Sequence, residues 1–238
     1  MLTSLDWSVL WRPPYGEQVA DALLMTLQIA AVSWALAMLI GIAVGLAREA
    51  PVAAVRFAAG AHVELFRNIP VLVQLFFIYY VLPRLLPPDM RRALFHLGWE
   101  NIAAVLALSL YSSAKVAEHV RAGLNSVSQQ MRQAALATGL SWWQAQRYVI
   151  LPLLLRVIAP SLTSEFVTIF KGSSLAMTVG VVETAYITQE IGVDTFHWIE
   201  ANSFGTLVYL TCAWLIAAMM SLVERWTFVP GLMRRGRG

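Results

Sequence analysis

Residues 22–47 read ALLMTLQIAAVSWALAMLIGIAVGLA, 26 consecutive uncharged residues bracketed by Asp21 and Arg48. A helix needs about 20 apolar residues to cross the hydrocarbon core of a bilayer, so this run spans with room to spare. It is too long for the apolar region of a signal peptide. The segment before it carries Asp6, Glu17 and Asp21 in place of a basic start, so the run is expected to remain as an anchor. Working outward, Glu200 and Glu224 bracket 23 uncharged residues, a second secure span. Between Arg67 and Arg84 lie 16 more, rich in Phe, Tyr, Leu and Val, which span if the flanking arginines snorkel. The runs 101–114 and 157–170 are only 14 residues each, and Glu165 lies within the second. They span if their ionisable groups face protein or a water-filled path. The expectation is an all-α membrane protein in a single unit over 1–238, with about five spans near 20–47, 66–87, 100–123, 152–174 and 203–226.

The whole-chain composition agrees: 58% of residues are hydrophobic and only 13% charged, against about one-quarter charged in a soluble domain. The net charge of +3 is not clustered on a soluble face, which argues against a nucleic-acid partner and makes the charges topology signals. Residues 115–156 hold five Lys and Arg against one Glu, the tail from 224 holds four Arg against one Glu, and 47–67 hold three Arg against two Glu. Residues 172–223 contain no Lys or Arg and carry Glu183, Glu190, Asp194 and Glu200. The expected orientation is N-terminus outside and C-terminus inside, with Arg84, Arg91 and Arg92 as exceptions on the outer side. Cys212 lies alone in an apolar run and reads as a small lining residue.

The cytoplasmic connection, 126–151, is punctuated as two short helices. Ser126 with Gln129 fits a capping box, Gly139 fits a left-handed stop, and Ser141 with Gln144 fits a second box. The second helix is expected to end or bend near Pro152. Leu136, Leu140, Trp142, Trp143, Tyr148 and Val149 are more apolar surface than a solvated connector requires. Taken on its residues alone, the loop fits either docking to a protein or lying on the inner leaflet with its tryptophans as anchors.

Gln133, Ala134 and Ala135, then Gly139, then Val149, Leu151 and Pro152 resemble the EAA loop of the permease subunits of ABC importers. Gln133 stands in place of the motif's Glu, so a salt link made there in relatives is not available to this chain, while the helix–glycine–helix shape is kept. The resemblance extends to ELFRNIP over 64–70, to Glu118 with Arg121 and Gly123, to TSE over 163–165 and to FKGSS over 170–174. Together with five spans, these resemble the polar amino-acid branch, with the wording most similar to glutamate/aspartate importer permeases. The start at Asp6-Trp7 and the basic residue at Lys115 contribute to that similarity.

The resemblance implies the type I importer permease fold. It implies that the 126–151 loop is a coupling helix seated in a cytoplasmic ABC ATPase dimer, with Gln133, Ala134, Ala135, Leu136, Gly139, Leu140 and Pro152 transmitting ATP-driven closure. A second permease subunit, of the same or a related chain, and an extracytoplasmic amino-acid-binding protein are the other implied partners. The chain lacks a GxxxxGK loop and a His/Cys cluster of metal spacing. ATP-Mg is therefore expected in the partner, with no cofactor, metal or catalytic residue here, and the chain is expected in the bacterial inner membrane.

The embedded polar groups are the candidates for a substrate path. Ser112, Lys115 and His119 recur on one helix face, and Lys115 reads either as a cation favouring carboxylate-bearing substrates or as a snorkelling boundary residue. Glu118 and Arg121 fit a local ion pair, with substrate contact as the other reading. Glu165 fits an interhelical partner such as Arg67 or Lys115, or a site for a substrate ammonium. Lys171, Ser173 and Ser174 could line the outer path or cap a helix end. Asn68 is expected to satisfy backbone groups freed by Pro70, and Gln74 to line the path. Tyr79 and Tyr80 fit an aromatic belt. Residues 181–201 are expected to form a short helix across the mouth, with Glu183, Glu190 and Asp194 facing solvent or the binding protein. Two competing functions use the same residues: a proton-coupled secondary transporter working through Glu165, and a membrane enzyme or scaffold using Glu165, His62, His96 and His119.

Overall fold

The computed structural model describes residues 5–126 and 129–227; within these, the side chains of 126, 129, 130, 132, 142 and 224–227 are not described. The chain opens with a short 3-10 turn, Trp7–Leu10, and continues as α1 Tyr15–Ala47, α2 Ala53–Asn68, α3 Val71–Phe76, α4 Pro88–His96 and α5 Trp99–Ser126. Then come α6 Gln129–Ala137, α7 Trp142–Ala145, α8 Leu151–Gly172, α9 Thr184–Thr195 and α10 Trp198–Thr227. Three continuous helices are long and apolar enough to cross a membrane, and five segments are if each of two bent pairs counts as one span. Leu39, Phe57, Trp214 and Leu215 expose their side chains to the surroundings, a surface suited to lipid and costly in water.

Small residues build the centre. Along α1 the buried positions Thr26, Ala30, Ser33, Ala37, Gly41 and Gly45 recur every three or four residues, one narrow face of the helix. This face meets α5 so closely that a Cβ on Gly41 would lie 2.5 Å from Val116 Cβ and 2.8 Å from the Ser113 carbonyl oxygen. One turn on, a Cβ on Gly45 would lie 2.6 Å from Val120 Cβ. In lipid no hydrophobic force separates helix from solvent, so close approach and the dispersion it gains hold such a pair together. Gly123 plays the same part for α5 against Leu154 and Ile158 of α8.

The expected span 66–87 is divided. Residues 66–68 close α2, the chain turns through 104° at Ile69 and Pro70, and the apolar run proceeds as α3, a π turn Phe77–Val81 and a 3-10 turn Leu82–Leu85. Pro70 supplies no N–H, and extended backbone at Ile69 ends α2. Gln74 bridges the break by donating its Nε2 to the carbonyls of Phe66 (2.7 Å) and Ile69 (2.8 Å). Asn68 instead donates to Glu64, 2.8 Å away, so the backbone-satisfying role assigned to Asn68 falls to Gln74. A second break, of 90°, separates α4 from the long α5, and α4 is a helix that the apolar runs had not indicated.

The loop of 126–151 keeps the Gly139 stop and the second cap, and of the end or bend expected near Pro152 the end is absent. Gly139 is left-handed at φ +88°, and Ser141 and Gln144 cap reciprocally, Ser141 N–H to Gln144 Oε1 at 2.8 Å and Gln144 N–H to Ser141 Oγ at 3.3 Å. The Ser126–Gln129 box lies outside the described side chains. No end occurs at Pro152: α7 runs through a π turn, Gln146–Ile150, straight into α8, giving continuous helix from Trp143 to Val179. Pro152 follows directly on the π turn inside this continuous helix, and the wider turn is where the helix absorbs its missing N–H.

The expectation of a helix across the mouth is corrected as well. α9 does not lie across the bundle; it stands in it. Its start touches Thr26, eleven residues along α1, and its end, Asp194, accepts from Tyr15 at 3.2 Å, so α9 runs antiparallel beside the first half of α1. It is also antiparallel to α10, with Gly205 against Thr188 and Gly192 against Trp198 at distances that exclude larger side chains. The segment preceding α9 therefore lies about 16 Å along α1 from its first residue, by the 1.5 Å rise of a helix.

Candidate functional site

A cleft of about 510 Å³ opens between α2, α5 and α8, lined by Arg67, Lys115, Glu118, His119, Ser161, Ser164, Glu165 and Thr168. Its α8 wall is one helix face, since 161, 164, 165 and 168 follow the three-and-four spacing. Its α5 wall is the Lys115–Glu118–His119 face, and Arg67 enters from the last turn of α2, just before the break.

Within the cleft the charges form two groups. Glu165 is buried, 5% exposed, and its Oε1 accepts no hydrogen bond; the group closest in charge is Lys115 Nζ at 3.6 Å. Lys115 also rests over the Tyr111 ring, 4.5 Å from its centroid. A buried carboxylate and a half-exposed ammonium at this distance attract, yet leave room for each to take a better partner of opposite sign. The second group centres on Glu118. Arg48, the residue that closes α1, hydrogen-bonds its Oε1, while Arg67 and Arg121 stand at 3.9 and 4.0 Å. Three guanidiniums around one carboxylate leave a positive surplus at this end of the cleft.

The sequence candidates thus divide by position. Arg67, Lys115, Glu118 and Glu165 come together in one cleft from three helices. Gln74 does not line it: the side chain is buried and its amide is engaged at the α2–α3 break. Asn68 is exposed on α2, and Lys171 is exposed in the last turn of α8, six residues beyond Glu165. Ser173 and Ser174 donate back to the Phe170 and Lys171 carbonyls and act as helix-end caps. Glu183, expected at a solvated surface, is fully buried; Glu190 and Asp194 line a separate cleft of about 340 Å³ with Met177, Tyr186 and Gln189. Arg48 and Tyr111 were missed. Tyr111 precedes Lys115 by four residues, a spacing that could have found it, whereas Arg48 meets Glu118 only through tertiary packing.

The histidines do not converge. His62 on α2 pairs with Ser113 Oγ at 2.9 Å, His96 ends α4, and only His119 faces the cleft. Among the described residues, no group of three or more His, Cys, Asp or Glu could hold a metal ion.

On the loop, Gln133, Ala134, Leu136 and Gly139 are exposed, Ala135 is buried and Leu140 is half-buried. Trp143 and Tyr148 add exposed aromatic surface, 76% and 65% accessible.

Comparison with known proteins is consistent along the whole chain. The model of the family "Binding-protein-dependent transport system inner membrane component" matches residues 37–229. The glutamate/aspartate import permease protein GltJ of Escherichia coli (strain K12) is 35% identical over 245 residues, covering 97% of this chain and 98% of that protein. The glutamine transport system permease protein GlnP of the same organism is 33% identical, covering 92% of this chain and 96% of that protein. The arginine transport system permease protein ArtQ of Bacillus subtilis is 28% identical over 93% of this chain and 97% of that protein. Among solved structures, an amino acid ABC transporter with histidines superposes with a TM-score of 0.78 at 26% identity, covering 94% of this chain and 100% of that one. A subunit of the MetNI methionine ABC transporter shares the fold, with a TM-score of 0.76 at 20% identity over 91% of this chain and 99% of that one. The fold is that of type I ABC importer permeases, and such chains are translocation components, not enzymes. This chain belongs to the binding-protein-dependent transport system inner membrane components, as an inner-membrane permease subunit of an amino-acid ABC importer.

Proposed function

We propose that the chain moves acidic amino acids, glutamate or aspartate, and that the cleft between α2, α5 and α8 is their path. The observation that carries this reading is the Lys115–Glu165 pair at 3.6 Å: an ammonium and a buried carboxylate with an unfilled acceptor present both signs that a zwitterionic ligand requires. A ligand ammonium would take Glu165, its carboxylate Lys115, and the surplus of guanidinium around Glu118, with Arg67 exposed on the cleft, would favour a second carboxylate. Relatives named for glutamine and arginine are nearly as similar as the one named for glutamate and aspartate, so the preference for acids rests on these charges.

The N-terminus lies outside and the C-terminus inside, following the Lys and Arg distribution. Helices α1, α5, α8 and α10, with the bent segment after Pro70, cross the membrane within a single domain over 1–238. The exposed loop face around Gln133, Ala134, Leu136, Gly139 and Trp143 docks on the ATPase dimer, which alone binds ATP-Mg, and the chain itself holds no cofactor. Continuous helix from Trp143 to Val179 makes that loop one lever with the α8 wall of the cleft, with Pro152 and the π turn as its flexible point. A second permease subunit completes the path. The binding protein approaches the end carrying Asp194 and Phe196.

The test is reconstitution of the complex in proteoliposomes with its ATPase and binding protein. ATP-dependent uptake of glutamate or aspartate should exceed that of glutamine, and Lys115→Ala should lower glutamate uptake more than glutamine uptake. Equal loss for both would remove the charge-reading role, and uptake that follows a proton gradient without ATP would sink the importer reading.

A further inference from the structure

Glu183 takes no part in the cleft, yet it is a fully buried ionisable group placed deep in the bundle. It sits beside Thr26 of α1 and Tyr209 of α10, each eleven residues from the end of its helix, or about 16 Å by the rise of a helix. An ionisable side chain at such depth is costly and is retained for a function. Two amides and two hydroxyls converge on its carboxylate, and the Thr26 hydroxyl is shared with the Ala22 carbonyl at 2.9 Å. The Ala185 and Tyr186 amides donate at 3.0 Å each, as the N-cap of α9; the Tyr209 hydroxyl donates at 2.6 Å; the Thr26 hydroxyl lies at 3.2 Å. Thr26 also accepts from the Thr184 amide at 3.0 Å, so α1 grips both the cap and the first residue of α9.

Among the described residues no Lys, Arg or His is placed against this carboxylate. On α10 the facing titratable group is Tyr209, with Cys212 one turn on. On α1 the nearest is Asp21, exposed and five residues away. On α9, Tyr186 follows and Glu190 lies two turns off in the separate cleft; at the end of α8, Lys171 is exposed. The negative charge is therefore held by hydrogen bonds and by the positive end of the α9 dipole alone. A proton on the carboxyl would remove the charge that strengthens both cap bonds and would turn one carboxyl oxygen from acceptor to donor.

We propose that Glu183 is a proton-responsive latch: ionised, it seats the buried start of α9 between α1 and α10, and neutralised, it releases the first turn of α9. The release is local, because Gly192 against Trp198 and Gly205 against Thr188 hold the rest of the helix on α10. It reaches α8 through Tyr209, whose ring packs on Phe170 at 5.4 Å between centroids.

Hydrogen exchange of the peptide covering 181–190, measured on the purified importer complex in nanodiscs and corrected for intrinsic rates, tests this without reference to any substrate. In the wild type, protection should fall about tenfold from neutral to acid pH, the loss of a charge-assisted bond. Glu183→Gln should sit at the low-protection level at every pH. Tyr209→Phe, which removes one donor and is expected to assemble, should move the transition to higher pH. Protection that is independent of pH in the wild type, or a transition unmoved in Tyr209→Phe, overturns the latch. Failure of the acidic-substrate reading would leave these outcomes unchanged.

Discussion

Lys115 and Glu165 face each other at 3.6 Å across the cleft between α5 and α8, the ammonium on a tyrosine ring and the carboxylate with one oxygen unbonded. Removing one member leaves the other without its counter-charge in a poorly solvated place, which costs about 3–5 kcal/mol for a buried pair and less here because Lys115 is part exposed. Lys115→Ala should therefore lower the thermal midpoint of the purified complex, and Glu165→Gln in the same background should recover part of the loss. A double-mutant cycle with no coupling would show that the pair is incidental.

Gln74 is expected to be structural. Gln74→Leu leaves the Phe66 and Ile69 carbonyls without their shared donor at the helix break, a loss of about 1–3 kcal/mol. Denaturation of the complex measures it, and unchanged stability would place the support of the break elsewhere.

The two kinds of glycine should separate cleanly. Gly41→Val puts a Cβ 2.5 Å from Val116 and 2.8 Å from backbone oxygen, so α1 and α5 must part, costing about 1–3 kcal/mol or preventing assembly. Gly60→Ala meets nothing within 4 Å inside α2 and should stabilise by about 0.5–1 kcal/mol. Thermal melts of both variants decide the matter, and equal tolerance would contradict the close packing.

Gly139 lies at φ +88° with open space where a Cβ would be, so its substitution acts through the backbone and not through a clash. Gly139→Ala should cost about 1–2 kcal/mol in loop stability with partial retention of ATPase binding. Gly139→Asp, which adds a charge to the face proposed to dock, should abolish co-purification with the ATPase. Normal assembly and uptake of Gly139→Asp would count against docking through this turn.

Much of this molecule is written in local order. Uncharged runs bounded by single charges mark the long helices because the bilayer admits only backbone that satisfies itself. The Ser141–Gln144 cap and the left-handed Gly139 were legible because each is a contact between neighbours in the chain. So were the cleft faces of α5 and α8, since helical spacing alone brings Lys115 with His119, and Ser161 with Glu165, onto one side. What the chain could not announce is which faces meet. That Arg48 closes on Glu118, that Lys115 rather than Arg67 takes Glu165, and that Gln74 turns to backbone follow from helices separated by tens of residues. Above all, the acids of 181–201 looked solvated because sequence counts charge without depth. Packing on α1 and α10 carries Glu183 into the bundle and leaves Asp194 outside it, and donors supplied by distant helices join those of its own cap to make that burial tolerable.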